Sequence, residues 1–477
     1  MRRFHGHDTR GIEAVPEGPF FEGRFGRMFR KALRVEQRRG FLIELADSMR
    51  SQERIENPAI PAGFTYLGQF LDHDITFDPT SSLQRFNDPE GLVNFRTPRF
   101  DLDSLYGRGP EDDAFMYDQE FEGGQAKLLI GRVFADDLET VADPLEDDLP
   151  RNHPLKGQGR ALLGDPRNDE NIFISQLQLT FIKFHNRVVD QVKAAEGLEG
   201  GALFKEAQRL TRWHYQWVVV HDFLPRIVGQ ELVDRLLRPD EDGTPIVRLR
   251  FYRPQFRPFM PLEFSVAAYR YGHSQVRGQY VINTTVPRLP IFTPGPLGDE
   301  RRRDFRGFRP LPPRWTIGWP FFFELDDEAP QASFKIDTKL AEPLFALPGE
   351  EEDDNKSLAR RNLLRGWRLK LPNGQAVART MGVDPLDAEE LGFREPAPLW
   401  FYVLKEAELR EDGVQLGPVG GRIVAETFLG LLKGDPLSFL NEPHWRPTLP
   451  AANEGEFTMA DLIRFAVPEQ ADRDPFS

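Results

Sequence analysis

The sequence predicts a mainly α-helical protein with little β-structure, and three observations predict it. Apolar residues recur at three- and four-residue steps over long stretches, and alternating strand-like patterns are few and short. In addition, 40 Pro and 40 Gly cut the 477 residues into many short elements. At roughly 100–200 residues per domain the length alone suggests two to four units. No group of breakers, however, falls where a clean boundary would divide the chain.

In chain order, residues 1–60 are expected as an N-terminal extended segment packing on the remainder. Gly68–Thr76 reads as a short helix on which Gln69 and His73, four apart, share a face. Ile174, Leu177, Phe181, Phe184, Val188 and Val192 mark a clear amphipathic helix. Trp213–Phe223 marks another, and a third starts at about Arg422 and carries Ile423, Phe428, Leu431 and Leu432. Val247–Tyr252 is the best strand pattern. Ala135–Pro154, Val286–Pro320 and Pro348–Asn355 read as long loops whose charge runs are solvated surface. The glycines of GPVGGRIVAE suggest a tight turn before a helix rather than a phosphate cradle.

Composition removes several functions. With 39 Phe and 7 Trp the chain is no solvated coil, and it can bury a large core. No apolar run approaches the ~18 residues of a spanning helix. The basic start MRRFHGHDTR has no apolar stretch behind it, so a location inside the cell or export by a leaderless route is expected. The absence of Cys removes thiolate catalysis and zinc–thiolate or iron–sulfur sites, leaving His, carboxylate and carbonyl groups as metal ligands. A net charge of −14 without a long basic block argues against nucleic acid and anionic membranes. No HExxH, GxxxxGK[ST] or GxSxG pattern occurs.

Seven of the nine His invite structural explanations, and two differ by their neighbours. A helix through Gln69, Asp72, His73 and Asp74 can present an amide, a carboxylate and an imidazole to a cavity while aiming the last carboxylate behind it. As far as this segment goes, a satisfied His among acids is an equal reading. His273, after Gly272 and one turn past Arg270 in an aromatic stretch, suits an axial ligand beside an anionic cofactor edge. The segments Gly164–Asn171 and Arg361–Gly366 carry further polar groups that a buried site can use.

GQFLDHDITFDPT, FRTPRFDLDSLYG, LLGDPRNDEN followed by FHNR, and YRYGHS together resemble the signatures of the animal-type heme peroxidases, in the same order and spacing. RNLLRG and LGPVGGRIVAE look most like bacterial members, and the resemblance runs from about Phe64 to Gly434. It implies one helical catalytic domain over residues 1–477, a heme b cofactor, hydrogen peroxide and a small donor as partners, and a part in the response to oxidative stress. It also implies roles. His73 is the distal acid–base, Arg167 stabilises charge on the departing oxygen, and Gln69 orders water or a small anion. His273 is the axial iron ligand, Asn362 accepts its other ring N–H, and Arg270 and Arg365 pair with heme propionates.

The same resemblance places Ca²⁺ behind the distal helix. Asp74, Thr97, Asp101 and Asp103 would be ligands, with Arg99 able to offer only its carbonyl; alternation in TPRFDLD would turn every second residue toward one point. Asp72 and Glu170 stand where members form ester links to heme. Asn171 stands where the myeloperoxidase type carries a sulfonium-forming Met, so that third bond is excluded. Activity is expected toward a halide, thiocyanate or phenolic donor, with chloride disfavoured. Two alternatives are a heme-dependent fatty-acid dioxygenase, whose chemistry needs a Tyr where Arg270 stands, and a heme- or calcium-loaded adhesive or scaffold protein with vestigial activity.

Overall fold

The computed structural model describes residues 25–34, 37–76, 97–134, 146–152, 159–240, 244–254, 258–286, 288–293, 303–348, 350 and 353–468. Nine helices of eight residues or more lie among them. These are α1 (Arg39–Ser48), α2 (Ala62–Ile75), α3 (Ile172–Glu196), α4 (Gly200–Val218), α5 (Leu358–Arg368), α6 (Gly374–Met381), α7 (Leu399–Arg410), α8 (Pro418–Gly434) and α9 (Met459–Ala466). The strands described form two-stranded ribbons only. No helix among these residues is long and apolar enough to cross a membrane.

The predicted period of α3 is present in full: Ile174, Leu177, Phe181, Phe184, Val188 and Val192 are all buried. Asn171 caps its start by accepting from the Ile174 amide, and Gly197, at φ 67°, ends it in the left-handed region. The helix expected over Trp213–Phe223 begins earlier, at Gly200, and passes into a π-helical turn at Val219–Phe223. α2 starts without a side-chain cap. The amides of Ala62 and Gly63 instead donate to Gln331 O (2.7 Å) and Phe322 O (3.0 Å), and a Cβ on Gly63 would lie 2.5 Å from that second oxygen. Only Gly allows this approach. Phe70 stacks on Phe181 at 4.6 Å and Tyr66 on Phe173 at 4.1 Å, which fixes α2 against α3.

Three expectations need correction. Residues 1–24 lie outside the described residues, but the rest of the first sixty is not extended throughout, since α1 is a ten-residue helix there. Of the predicted strand Val247–Tyr252 only Val247 pairs, as the last residue of Pro245–Val247, which pairs with Leu237–Pro239. Beyond it the Glu426 carboxylate accepts from the amides of Arg250, Phe251 and Tyr252, so a side chain takes the place of a partner strand. The GPVGG glycines form no tight turn. They open α8, where the Glu406 carboxylate accepts from Val419 N (2.8 Å) and Gly420 N (3.3 Å). Of the three predicted loops, 135–145, 153–154, 287, 294–302, 349 and 351–352 fall outside the described residues.

Candidate active site

Of the fourteen residues of α2 only Gln69 and Asp72 are not buried. They lie four and one residues before His73, so the helix turns one short polar stripe toward open space. Asp74, fully buried, points into the protein on the other side.

His73 is held from behind. Its Nδ1 lies 2.7 Å from Asn168 Oδ1, and Asn168 Nδ2 donates to Gln178 Oε1 at 2.8 Å. The second bond orients the amide, so its oxygen faces the ring, Nδ1 carries the proton, and the Nε2 lone pair is left as the basic atom. Nε2 faces Glu170 Oε1 at 3.6 Å, and Gln69 Nε2 donates to the same carboxylate. Burial, aided by the Arg167 cation, lowers the His73 pKa to about 4, so the ring is neutral near pH 7.

Arg167 sits on the 3₁₀ turn Pro166–Asp169, whose first amide is capped by Asp165. Its Nη2 donates to Asp165 (2.7 Å), to His73 O (2.9 Å) and to Thr76 O (2.7 Å), which places the cation at the C-terminal end of α2. Burial pushes the Glu170 carboxyl up to about 7. Burial also raises Asp72, but the charges of Arg270, His73 and Arg167 and the Thr76 hydroxyl outweigh it and hold that carboxyl below its ordinary range. Asn171 bonds Gln69 (3.4 Å) as well as capping α3.

Asp74 Oδ2 accepts from Tyr215 OH (3.0 Å) and Leu102 N (3.2 Å). Asp74, Asp101 and Asp103 bring carboxylate oxygens within 4.8 Å of one another, and Thr97 Oγ1 donates to Asp101 at 2.9 Å. The expected group therefore meets, but not by strand-like alternation. The loop is a series of bends, Leu102 has φ 56°, and the Arg99 side chain turns away to Asp435 at 3.8 Å. Three carboxylates so close repel one another, and hard oxygen donors in this number fit Ca²⁺.

His273 lies on the helical turn Gly272–Gln275, which packs on α2. Burial and the Arg270 cation lower its pKa to about 3, so it too is neutral, as a metal ligand must be. Its Nδ1 lies 2.7 Å from Asn362 Nδ2 of α5. The expected bond thus has its polarity reversed: with a metal on Nε2, Nδ1 carries the proton, and half a turn of the amide presents Oδ1 to it. Arg270 donates through Nε to Ser265 O (2.8 Å) and faces Asp72 at 3.8 Å, which joins this side to α2. Arg365, half-buried, follows Asn362 by one turn. Neutral His73 and His273, Arg270 and the two unburied polar residues of α2 are the groups that would hold a heme.

Sequence reasoning gave no role to Asn168, Asp165, Gln178, Tyr215 or Trp400, whose indole N–H donates to Arg270 O at 3.1 Å. The only signal was that the first two fall in the polar segment Gly164–Asn171.

Comparison with known proteins places the chain among similar sequences and folds. A sequence model described as "Animal haem peroxidase" matches residues 81–291. The chorion peroxidase of Drosophila melanogaster is 30% identical over 347 residues, covering 69% of this chain and 40% of that protein. That of Aedes aegypti is 26% identical over 306 residues, covering 63% and 37%. The chain thus spans less than half the length of these curated relatives. Peroxidase A from Dictyostelium discoideum shares the fold with a TM-score of 0.65 at 14% identity, over 95% of this chain and 93% of that one. A fatty acid alpha-dioxygenase of Arabidopsis thaliana shares it at 0.61 and 16%, over 96% and 80%. Its sequence motifs, the family match over residues 81–291 and the fold all liken the chain to the animal haem peroxidase family.

Proposed function

We propose that the chain is a heme peroxidase that reduces hydrogen peroxide and oxidises a halide, thiocyanate or phenolic donor. One observation carries the reading: a buried and a half-buried imidazole, both neutral, each held at Nδ1 by an asparagine, on packed elements tied together by Arg270 and Asp72. Bound heme would supply the iron at which peroxide is split and the oxidising equivalents passed to the donor. His273 Nε2 would hold the iron, and Arg270 and Arg365 would neutralise its propionates. His73 Nε2 takes the proton of the inner peroxide oxygen and returns it to the outer one, so water can leave. Arg167 keeps the ring deprotonated between turnovers and favours charge on the departing oxygen. Gln69 orders water or a small anion beside Nε2.

Asp74, Asp101, Asp103 and Thr97 would bind Ca²⁺, and Asp72 and Glu170 would form the ester links. Asn171, which offers no sulfur, leaves bromide, iodide, thiocyanate and phenols as better donors than chloride. A second reading, fatty-acid dioxygenation, draws on the shared fold and on buried Tyr269, whose hydroxyl donates to Gly68 O at 3.1 Å; Arg270 in the position that this chemistry gives to Tyr weighs against it.

The test is the spectrum of the hemin-loaded protein with and without peroxide. A Soret band that changes on adding peroxide, with donor oxidation, is expected, and the absence of both would overturn the proposal. Oxygen uptake with palmitate that needs no peroxide would favour the second reading.

A further inference from the structure

Beside Asn362 lies a cavity of about 180 Å³. An apolar cavity of about 150 Å³ is enough to admit benzene. Two indoles, Trp367 and Trp400, line it together with Leu363 and Leu399, and the Asn362 amide supplies a polar wall. Its remaining edge carries Arg34 and Lys370, both exposed. No carboxylate lines the space, and neither cation forms an ion pair with a described residue. Lys370 also keeps this place at a backbone cost, since its φ of 50° lies in the left-handed region where Gly is the easy choice. Arg27 adds a third cation nearby through bonds to Leu369 O and Lys370 O.

Aromatic walls, a hydrogen-bonding amide within, and Arg34 and Lys370 at the rim describe one ligand chemistry. We propose that this cavity binds a small aromatic carboxylate, its ring between the indoles and its carboxylate at Arg34 and Lys370. Neither His73 nor His273 lines this site, which sets it apart from the His73 pocket to which a donor would come. Such a ligand touches the residue that holds the axial imidazole, so the site is placed to sense or tune it.

The probe is benzoate, which is not a phenolic donor, measured by equilibrium dialysis against the full-length protein as purified. The readout needs no turnover, so it stands or falls separately from the peroxidase reading. Saturable one-to-one binding is expected, weakened about tenfold or more by Lys370→Glu and by Arg34→Glu, because a charge-assisted contact is lost. Benzyl alcohol, uncharged and of the same size, should bind at least about tenfold more weakly than benzoate by the same argument. Both variants lie on exposed positions and should keep the parent melting temperature, which separates lost binding from lost folding. No saturable binding, equal binding of benzyl alcohol, or binding that falls with His73→Ala but not with Lys370→Glu would each overturn the proposal.

Discussion

The two histidines of the site are held by the same residue type in opposite surroundings. His73 leans on Asn168, Asn168 on Gln178, and all three are buried in the contact between α2 and α3. His273 leans on Asn362, but that asparagine also lines a cavity. An amide bonded on both sides dictates which ring nitrogen carries the proton. An amide at a cavity wall fixes the ring's position while its own nitrogen and oxygen can exchange places. The first arrangement suits a proton carrier, which must present one atom in one state. The second suits a ligand whose hydrogen bond can adjust to the charge it meets.

The largest effects should come from removing the imidazoles, and they should differ in kind. His273→Ala is expected to abolish retention of heme and its Soret band. His73→Ala should retain heme and slow the reaction with peroxide by ~10²–10⁴-fold in stopped-flow measurements. Parent-like peroxide kinetics in His73→Ala would break the comparison at its root. Next, Asn362→Ala should weaken heme retention by ~10–100-fold, the usual cost of losing the partner of a metal-binding histidine. Asn168→Ala should leave retention intact and lower only the peroxide rate.

Chelation sharpens the distal half of the comparison. Asp74 is the neighbour of His73 in the chain, so excess EGTA should lower both the melting temperature and the peroxide rate. Full activity with an unchanged melting temperature would count against the ion. Ester formation probes the same helix from its open face. Acidified-butanone extraction should release heme before peroxide turnover and progressively less after it, and Asp72→Asn with Glu170→Gln should restore full release.

The smallest effect concerns Glu406 of α7. Burial pushes its carboxyl up from 4.5 to about 7, against the pull of the α8 amides. Between those values the folded protein keeps a proton that the unfolded chain has released, so this stability is full below pH 4.5 and is lost as pH rises through about 7. At 1.36 kcal/mol per pKa unit the loss is ~3 kcal/mol. Glu406→Gln should remove it, making the melting temperature fall less between pH 5 and 8 than in the parent. His185 and His214, buried with pKa values lowered to about 4, act in the opposite sense, so the slope difference between variant and parent is the quantity to measure.

Much of this was legible in the residues. The period of α3 survives folding because the helix buries one whole face, and the Gln69–His73 spacing holds because α2 is a regular helix. What the sequence concealed has a common physical cause. Glu426 and Glu406 accept backbone amides that a strand partner or a turn would otherwise satisfy, and a lone Glu far along the chain gives no local sign of it. The start of α4 was missed because its N-cap position, Glu199, makes no side-chain cap. Asn168 carried no signal beyond its place in a polar segment, because its meaning lies in meeting His73 and Gln178. The carboxylates behind α2 were found through the family motif, whereas the bends and the left-handed Leu102 that gather them follow no simple period.

A third buried carboxylate bears on how far the chain can be shortened. Glu263, with no exposure, accepts from Met28 N (3.0 Å) and Phe29 N (3.1 Å), while Phe25–Gly26 pairs with Met260–Pro261. Two residues beyond Glu263, Ser265 O receives the Arg270 guanidinium. A protease cut after Phe29, or a truncated version starting there, would strand an acid inside the protein with two acceptors unmet, at ~1–3 kcal/mol or more. The loosened strip would run directly into the residue that faces Asp72. Residues 25–29 thus act as a clasp whose removal should reach Arg270 while every motif of the family is still in place.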